Sequence, residues 1–371
     1  MDRLVDRAEK VVSCAEAVVE TDKIGLTPPQ EGEQRFYEEI AADSLSPLWN
    51  HLHHLVPKAP TTAAVPFCWD YDGVVRDHIM RAGQIVTAEQ AERRVLILEN
   101  PGLPGKAAIT SSLYAGLQLV LPGEIAPQHR HSQSAFRFVI EGTGAYTTVD
   151  GERVNMKPGD LVLTPSWRWH DHGNDGSTPV VWLDGLDIPM LAFFGAGFAE
   201  PGRQASQNEL VPAGDSAIRF GNNLLPVDWS PSDRSSPILC YPYERSQETL
   251  DHLARNSDPD PCHGHKLRFI NPASGRAPLP TIAAFIQRLP EGFSSRPYRS
   301  TDGAVYAVVE GEGESVIGST RLSWKARDIF VAPPWHSVTH HCFKQATLFS
   351  FSDHAAQAAL GLWQEDREAG G

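Results

Sequence analysis

Pro127-Gln128-His129-Arg130-His131-Ser132-Gln133-Ser134-Ala135-Phe136-Arg137-Phe138-Val139-Ile140-Glu141-Gly142 carries two histidines two positions apart, and Pro165-Ser166-Trp167-Arg168-Trp169-His170-Asp171-His172-Gly173-Asn174 carries two more. On a β-strand residues i and i+2 share a face, so His129 and His131 can reach one ion. His170 follows after a turn and a second hydrophobic run and can supply a third ligand. Three imidazoles on a β-scaffold leave open positions on an octahedral metal, as a catalytic centre requires and a closed structural site does not.

The flanks punctuate short strands with turns. Pro122-Gly123-Glu124 precedes the histidine pair, Gly142 and Gly144 follow it, and Gly159-Asp160 stands before Pro165. The pattern resembles the two signature motifs of the cupin superfamily, small β-barrels that hold a metal inside. Asp160 reads as a turn residue.

Farther along, the pattern returns. Val308-Val309-Glu310-Gly311-Glu312-Gly313 matches Val139-Ile140-Glu141-Gly142-Thr143-Gly144, and Arg327-Asp328 to Trp335 matches Gly159-Asp160 to Trp167. The chain therefore reads as mainly β: a bicupin of two jelly-roll-like barrels behind an N-terminal helical segment. The expected divisions are a helical and mixed segment over 1–90, a first barrel with the metal site over 91–197, a loop-rich connection over 198–280, and a second barrel with a C-terminal helix over 281–371. The ligands do not repeat. Arg296-Pro297-Tyr298-Arg299 replaces the His-x-His stretch and Val338 stands where His170 would, so no metal is expected in the second barrel.

Composition agrees with this class. The 29 prolines and 30 glycines suit short strands joined by many turns. A net charge of −14 disfavours nucleic acid or an anionic membrane as partner. The five cysteines are scattered and odd in number, which argues for no disulfide framework and for a reducing cytoplasm. No apolar run is long enough to span a bilayer, and the first residues lack a signal-peptide core. Helices are expected over Leu4–Ala15, from about Glu33 to Leu45, over Leu48–Leu55 and from Ala355 to Arg367. His51, His53 and His54 would diverge on such a helix, and Cys262-His263-Gly264-His265 lacks matching ligands elsewhere, so both read as packing or loop.

Other polar residues sit where the barrel interior would be. An even offset keeps Arg137 on the face of His131, with Phe136 and Phe138 pointing away. Gly116 leaves room where a ligand approaches, and if it faces the cavity Tyr114 and Gln118 do too. Arg93 and Arg94 adjoin, so one can turn inward to an acid or a carboxylate substrate, or both can lie on the surface. His172 shares the face of His170, and Asp184, an acid in an apolar strand, has His172 as a candidate partner.

Taken together, residues 129–142, 164–174 and Trp182-Leu183-Asp184-Gly185-Leu186-Asp187 resemble gentisate 1,2-dioxygenase, with the salicylate and 1-hydroxy-2-naphthoate 1,2-dioxygenases as close relatives. The resemblance implies Fe(II) held by His129, His131 and His170, and a substrate with a carboxylate ortho to a phenolic hydroxyl. Both atoms of dioxygen enter the ring and an open-chain oxo-diacid leaves; from gentisate this is maleylpyruvate. It further implies that Arg137 and Arg93 hold the carboxylate, that Gln118 hydrogen-bonds near the chelating oxygens, that His172 with Asp184 lies close to the ring, and that Tyr114 and Gly116 shape the wall. It implies a homotetramer. Two rival classes fit less well. A non-enzymatic cupin that binds or senses an aromatic hydroxy acid is disfavoured by the intact histidines. A cupin isomerase or decarboxylase would add an acidic ligand, and residues 133–137 offer none.

Overall fold

The strands of this protein are short because turn formers interrupt apolar runs every few residues, and the order in which they pair decides where the histidines meet. The computed structural model describes residues 31–231 and 234–367. The helix expected over Leu4–Ala15 lies outside them. The chain separates into two compact units, one ending at Ala59 and one beginning at Pro60. In the first, helices Glu31–Ala42 and Leu48–Leu55 flank Pro47, and Trp49 Nε1 donates to the Tyr37 hydroxyl at 2.9 Å. His51, His53 and His54 are all exposed on the second helix.

Both β-barrels lie in the second unit. The first is built from two facing sheets. One has six strands in the order Cys240–Tyr241, Leu161–Thr164, Ala135–Glu141, Val180–Leu186, Tyr114–Val120, Val95–Ile97. The other has five, in the order Ala199–Pro201, Ile125–His131, His170–Asn174, Ala145–Val149, Glu152–Asn155. Every pair is antiparallel, and non-consecutive neighbours give the jelly-roll crossovers. The second barrel uses fewer, longer strands. Ala304–Ile317 and Val338–Ser352 each run through register shifts and so serve both layers, where the first barrel breaks the chain with Gly142 and Gly144. Phe67–Trp69, upstream of the first barrel in sequence, pairs with Ile329–Ala332 of the second.

The barrels share a core. Arg137 points into the first barrel, and its neighbours Phe136 and Phe138 point out, as the period of two requires. Phe138 stacks on Phe349 at 3.9 Å, and Phe136 meets Phe351 edge-on at 4.8 Å. All four rings are within 2% of full burial. Each contributes about 1.5–3 kcal/mol of burial, so the two barrels stabilise one another. Gly185 is required beside them, because a Cβ there would stand 2.2 Å from the Phe136 ring.

Residues 198–280 hold helices Asp215–Phe220 and Tyr243–Asn256. The second was not legible in the sequence, because Leu250 is its one buried residue and most of the others are polar. The C-terminal helix is shorter than expected, His354–Leu360, and the chain then adds the two-residue strand Glu365–Asp366. No helix among the described residues is long and apolar enough to cross a membrane.

Candidate metal centre

His129 and His131 end one strand and His170 begins its antiparallel neighbour, with His129 directly opposite His170. The ring centroids of these two stand 4.1 Å apart, and those of His131 and His170 stand 4.8 Å apart. One ligand nitrogen from each of the three lies within 4.8 Å of the others. Each Nδ1 is already committed: His129 to Pro127 O at 2.8 Å, His131 to Gln133 O at 2.9 Å, His170 to Arg168 O at 2.8 Å. A carbonyl can only accept, so every Nδ1 carries the proton and every Nε2 keeps its lone pair for the centre. Burial, with the Arg93 and Arg137 charges nearby, pushes His129 down to about 3 and His131 to about 4, and burial holds His170 well below the usual imidazole range. All three are therefore neutral donors at neutral pH. His170 Nε2 is fully buried and has no hydrogen-bond partner among the described residues. Buried polar atoms are rarely left so, and a cation bound by the three nitrogens satisfies it. The donor set fits a divalent transition metal.

Arg137 organises the wall behind the histidines. It is 4% exposed, donates through Nη1 to Thr164 Oγ1, and lies through Nη2 2.8 Å from His172 Nε2. Since a guanidinium can only donate, His172 Nε2 accepts and His172 Nδ1 donates to Thr147 Oγ1, at 2.8 Å. The expected His172–Asp184 pair is not formed. Asp184 stands opposite Arg137 in the strand register, so the guanidinium takes it first, with Nε 3.6 Å from Asp184 Oδ1. Asp184 also accepts from Trp182 Nε1 at 3.0 Å. Burial pushes the Asp184 carboxyl up to about 6, and Arg137 opposes that rise.

Tyr114, Gly116 and Gln118 share a face, and Gly116 is opposite Asp184. A Cβ on Gly116 would meet the Tyr114 hydroxyl at 2.7 Å and Val95 at 2.6 Å, so the glycine lets the phenol lie along the strand. Gln118 is 2% exposed, opposite both Trp182 and Val95. Of the adjacent arginines, Arg94 is the buried one. It forms a bidentate pair with Glu124 at 2.9 and 2.8 Å and donates to Val86 O at 3.0 Å. Arg93 is exposed at the rim and its guanidinium makes no hydrogen bond or ion pair among the described residues, while its charge reaches Asp184, Tyr114, His129 and His131. Sequence reasoning passed over Thr147, Thr164 and Trp182, the partners of His172, Arg137 and Asp184. Their signal was present: each is a polar atom carried on an otherwise apolar strand.

The second barrel repeats this architecture with other side chains. Tyr298 bridges Val338 where His129 faces His170. Tyr306 lies opposite Ser350 where Arg137 lies opposite Asp184. Ser300 thus takes the place of His131. His340 keeps the place of His172, with its Nδ1 2.8 Å from the Ser315 hydroxyl. Even the rim recurs: Arg130 lies over Trp167 at 4.3 Å and pairs with Glu200, and Arg299 lies over Trp335 at 4.8 Å and pairs with Asp366.

Comparison with known proteins agrees with this architecture. Residues 116–186 match the cupin domain family. The chain is 50% identical to gentisate 1,2-dioxygenase 1 of Aquipseudomonas alcaligenes, over 94% of this chain and 99% of that one. It is 33% identical to 5-aminosalicylate 1,2-dioxygenase of Comamonas, over 90% of each. Salicylate 1,2-dioxygenase from Pseudoaminobacter salicylatoxidans, solved with gentisate, superposes with a TM-score of 0.87 at 33% identity, covering 94% of this chain and 97% of that one. With three neutral imidazoles converging in one cupin barrel and such relatives over nearly its whole length, the chain belongs to the gentisate 1,2-dioxygenase family of ring-cleaving dioxygenases.

Proposed function

We propose that the metal is iron(II), that the substrate is gentisate, and that the product is the open-chain oxo-diacid maleylpyruvate. The observation that carries this reading is the buried Arg137 guanidinium set directly behind three neutral imidazoles, a pairing suited to an anionic, metal-chelating ligand. The 50% identity to a gentisate dioxygenase supports gentisate over the salicylates, whose enzymes are more distant relatives. Iron(II) bound by His129, His131 and His170 would supply the chelation of the carboxylate and phenolate oxygens and the activation of dioxygen.

The chain's own residues do the positioning. Arg137 supplies a buried positive charge behind the histidines, and Arg93 presents at the rim a guanidinium with no partner among the described residues; together they draw in and hold the substrate carboxylate. Asp184 balances the charge of Arg137 and holds its fork in place. His172, locked as an Nδ1–H tautomer by Thr147, fixes the other side of that fork next to the ring. Gln118 serves as hydrogen-bonding group near the chelating oxygens. Tyr114, lying over Gly116, closes the wall against the aromatic ring, and a bulkier or smaller residue there would change which ring substituents fit. The chain is read as a homotetramer. Exposed Phe193, Phe194 and Phe198 offer an apolar surface for a second copy. Cys68, Cys240, Cys262 and Cys342 are all free thiols, which suits a reducing cytoplasm.

The test is oxygen uptake by Fe(II)-loaded protein with gentisate, salicylate and 5-substituted salicylates side by side. Stoichiometric uptake with gentisate, and slower uptake with salicylate, is the expected result. Uptake with a salicylate but not with gentisate would overturn the substrate assignment.

A further inference from the structure

The interior of the second barrel has not closed over. A cavity of about 400 Å³ occupies it, lined by Tyr298, Ser300, Tyr306, Val338 and Ser350, the positional counterparts of His129, His131, Arg137, His170 and Asp184. That volume lies in the range of small-molecule sites. Loss of metal ligands alone would leave a space to be filled by larger apolar residues. Instead the wall acquires a cation. Lys266 stands opposite Gln287, where the first barrel has Val95 opposite Gln118. Its ammonium lies over the Phe285 ring at 4.8 Å, lines the cavity, and forms no ion pair or hydrogen bond among the described residues.

A cation removed from bulk water without a partner is costly, so such a group marks the place of an anion. Asp302, on the same wall, accepts from Trp363 Nε1 at 3.0 Å and does not reach Lys266 within ion-pair distance. Its charge disfavours a dianion. Phe285, Tyr298, Tyr306 and Trp363 present ring faces and edges to the cavity, and Arg268 and Arg299, the latter paired with Asp366, add positive charge to the same wall. Gln287, two residues from Phe285 on the same strand face, has both amide atoms buried without partners.

We propose that the second barrel is a metal-free binding site for a small aromatic monocarboxylate, with the carboxylate on Lys266 and the ring among Phe285, Tyr306 and Trp363. The site is separate from the metal centre, and the inference holds whichever aromatic acid the first barrel cleaves.

Benzoate is the probe, because it lacks the ortho hydroxyl needed for chelation. Calorimetric titration of the iron-loaded protein is made for the unaltered chain, for Lys266→Met and for Phe285→Trp, which narrows the cavity beneath the ammonium. In the unaltered protein one benzoate per chain should bind with an affinity that falls at least tenfold in Lys266→Met and in Phe285→Trp, while oxygen uptake stays unchanged in both. Neutral benzamide should bind at least tenfold more weakly than benzoate. Lys266→Met removes an unpaired charge and should melt no lower than the parent; if it does not fold, Phe285→Trp carries the same decision. Benzoate binding of equal stoichiometry and affinity in all three proteins, or no binding at all in the parent, would overturn the proposal, as would equal affinity for benzamide.

Discussion

The two barrels have one register and two chemistries. His129 faces His170 in the first, and Tyr298 faces Val338 in the second. Arg137 is paired with Asp184 in the first, and Tyr306 with Ser350 in the second. What persists in both is the frame. The turn glycines Gly142 and Gly311 both have positive φ, near 90°. Trp167 and Trp335 share the same left-handed conformation, and each carries an arginine over its ring. The comparison separates residues that make a cupin from residues that make a dioxygenase. His172 falls on an unexpected side of that line. Its counterpart His340 makes the same hydrogen bond to a hydroxyl where the ligand histidines are gone, so part of what His172 does is structural.

Giving the first barrel the side chains of the second should break the difference in order of importance. His131→Ala, or the paired exchange His129→Tyr with His170→Val, should abolish metal retention and turnover while the protein still folds; oxygen uptake above a hundredth of the parent rate would contradict the ligand assignment. Arg137→Tyr comes next. Truncating one partner of a buried charged pair costs about 2–5 kcal/mol, so apparent affinity for gentisate should drop upward of about 30-fold. The lone Asp184 left behind would also lower stability. Adding Asp184→Ser, which recreates the Tyr306–Ser350 pairing, should restore the melting temperature without restoring affinity, and recovery of both would show that Arg137 acts only through the fold.

Smaller effects probe the second barrel. His340→Phe removes the hydrogen bond to Ser315 and should cost about 1 kcal/mol of stability with turnover unchanged; a tenfold fall in turnover would mean the barrels are chemically coupled. The smallest effect is a pH slope. Burial lowers Lys266 from 10.5 to about 8. Between these values the unfolded chain holds the proton and the folded chain does not, so stability rises with pH across that window. In denaturant titrations the parent should gain on Lys266→Met across this window, while below pH 8 the two differ by a constant offset with no difference in pH slope.

Much of this is legible in the sequence alone. The His-x-His spacing, the even offset to Arg137 and the glycine-punctuated repeat all follow from strand periodicity, which is local. What the sequence could not give was choice among partners. Asp184 and His172 both needed a neighbour, and either could have served the other. Only the register, which places Asp184 opposite Arg137 and His172 opposite Thr147, decides between them. Likewise Arg93 and Arg94 are equivalent in one dimension, and the distant Glu124 selects Arg94 for burial. The helix Tyr243–Asn256 gives little signal because it buries only Leu250 fully and adds the half-buried Tyr243 against the core. Lys266 gave no sign at all, since a lone lysine on a strand reads as solvent-exposed until the ring of Phe285 is seen beneath it.

The most direct measurement is iron content per chain, taken on the reconstituted parent and on His170→Val, with oxygen uptake on gentisate recorded from the same samples. One iron and one oxygen consumed per gentisate in the parent, with neither in the variant, is the expected result. Two irons per chain in the parent, or iron and uptake retained in His170→Val, would contradict the assignment of a single three-histidine centre to the first barrel.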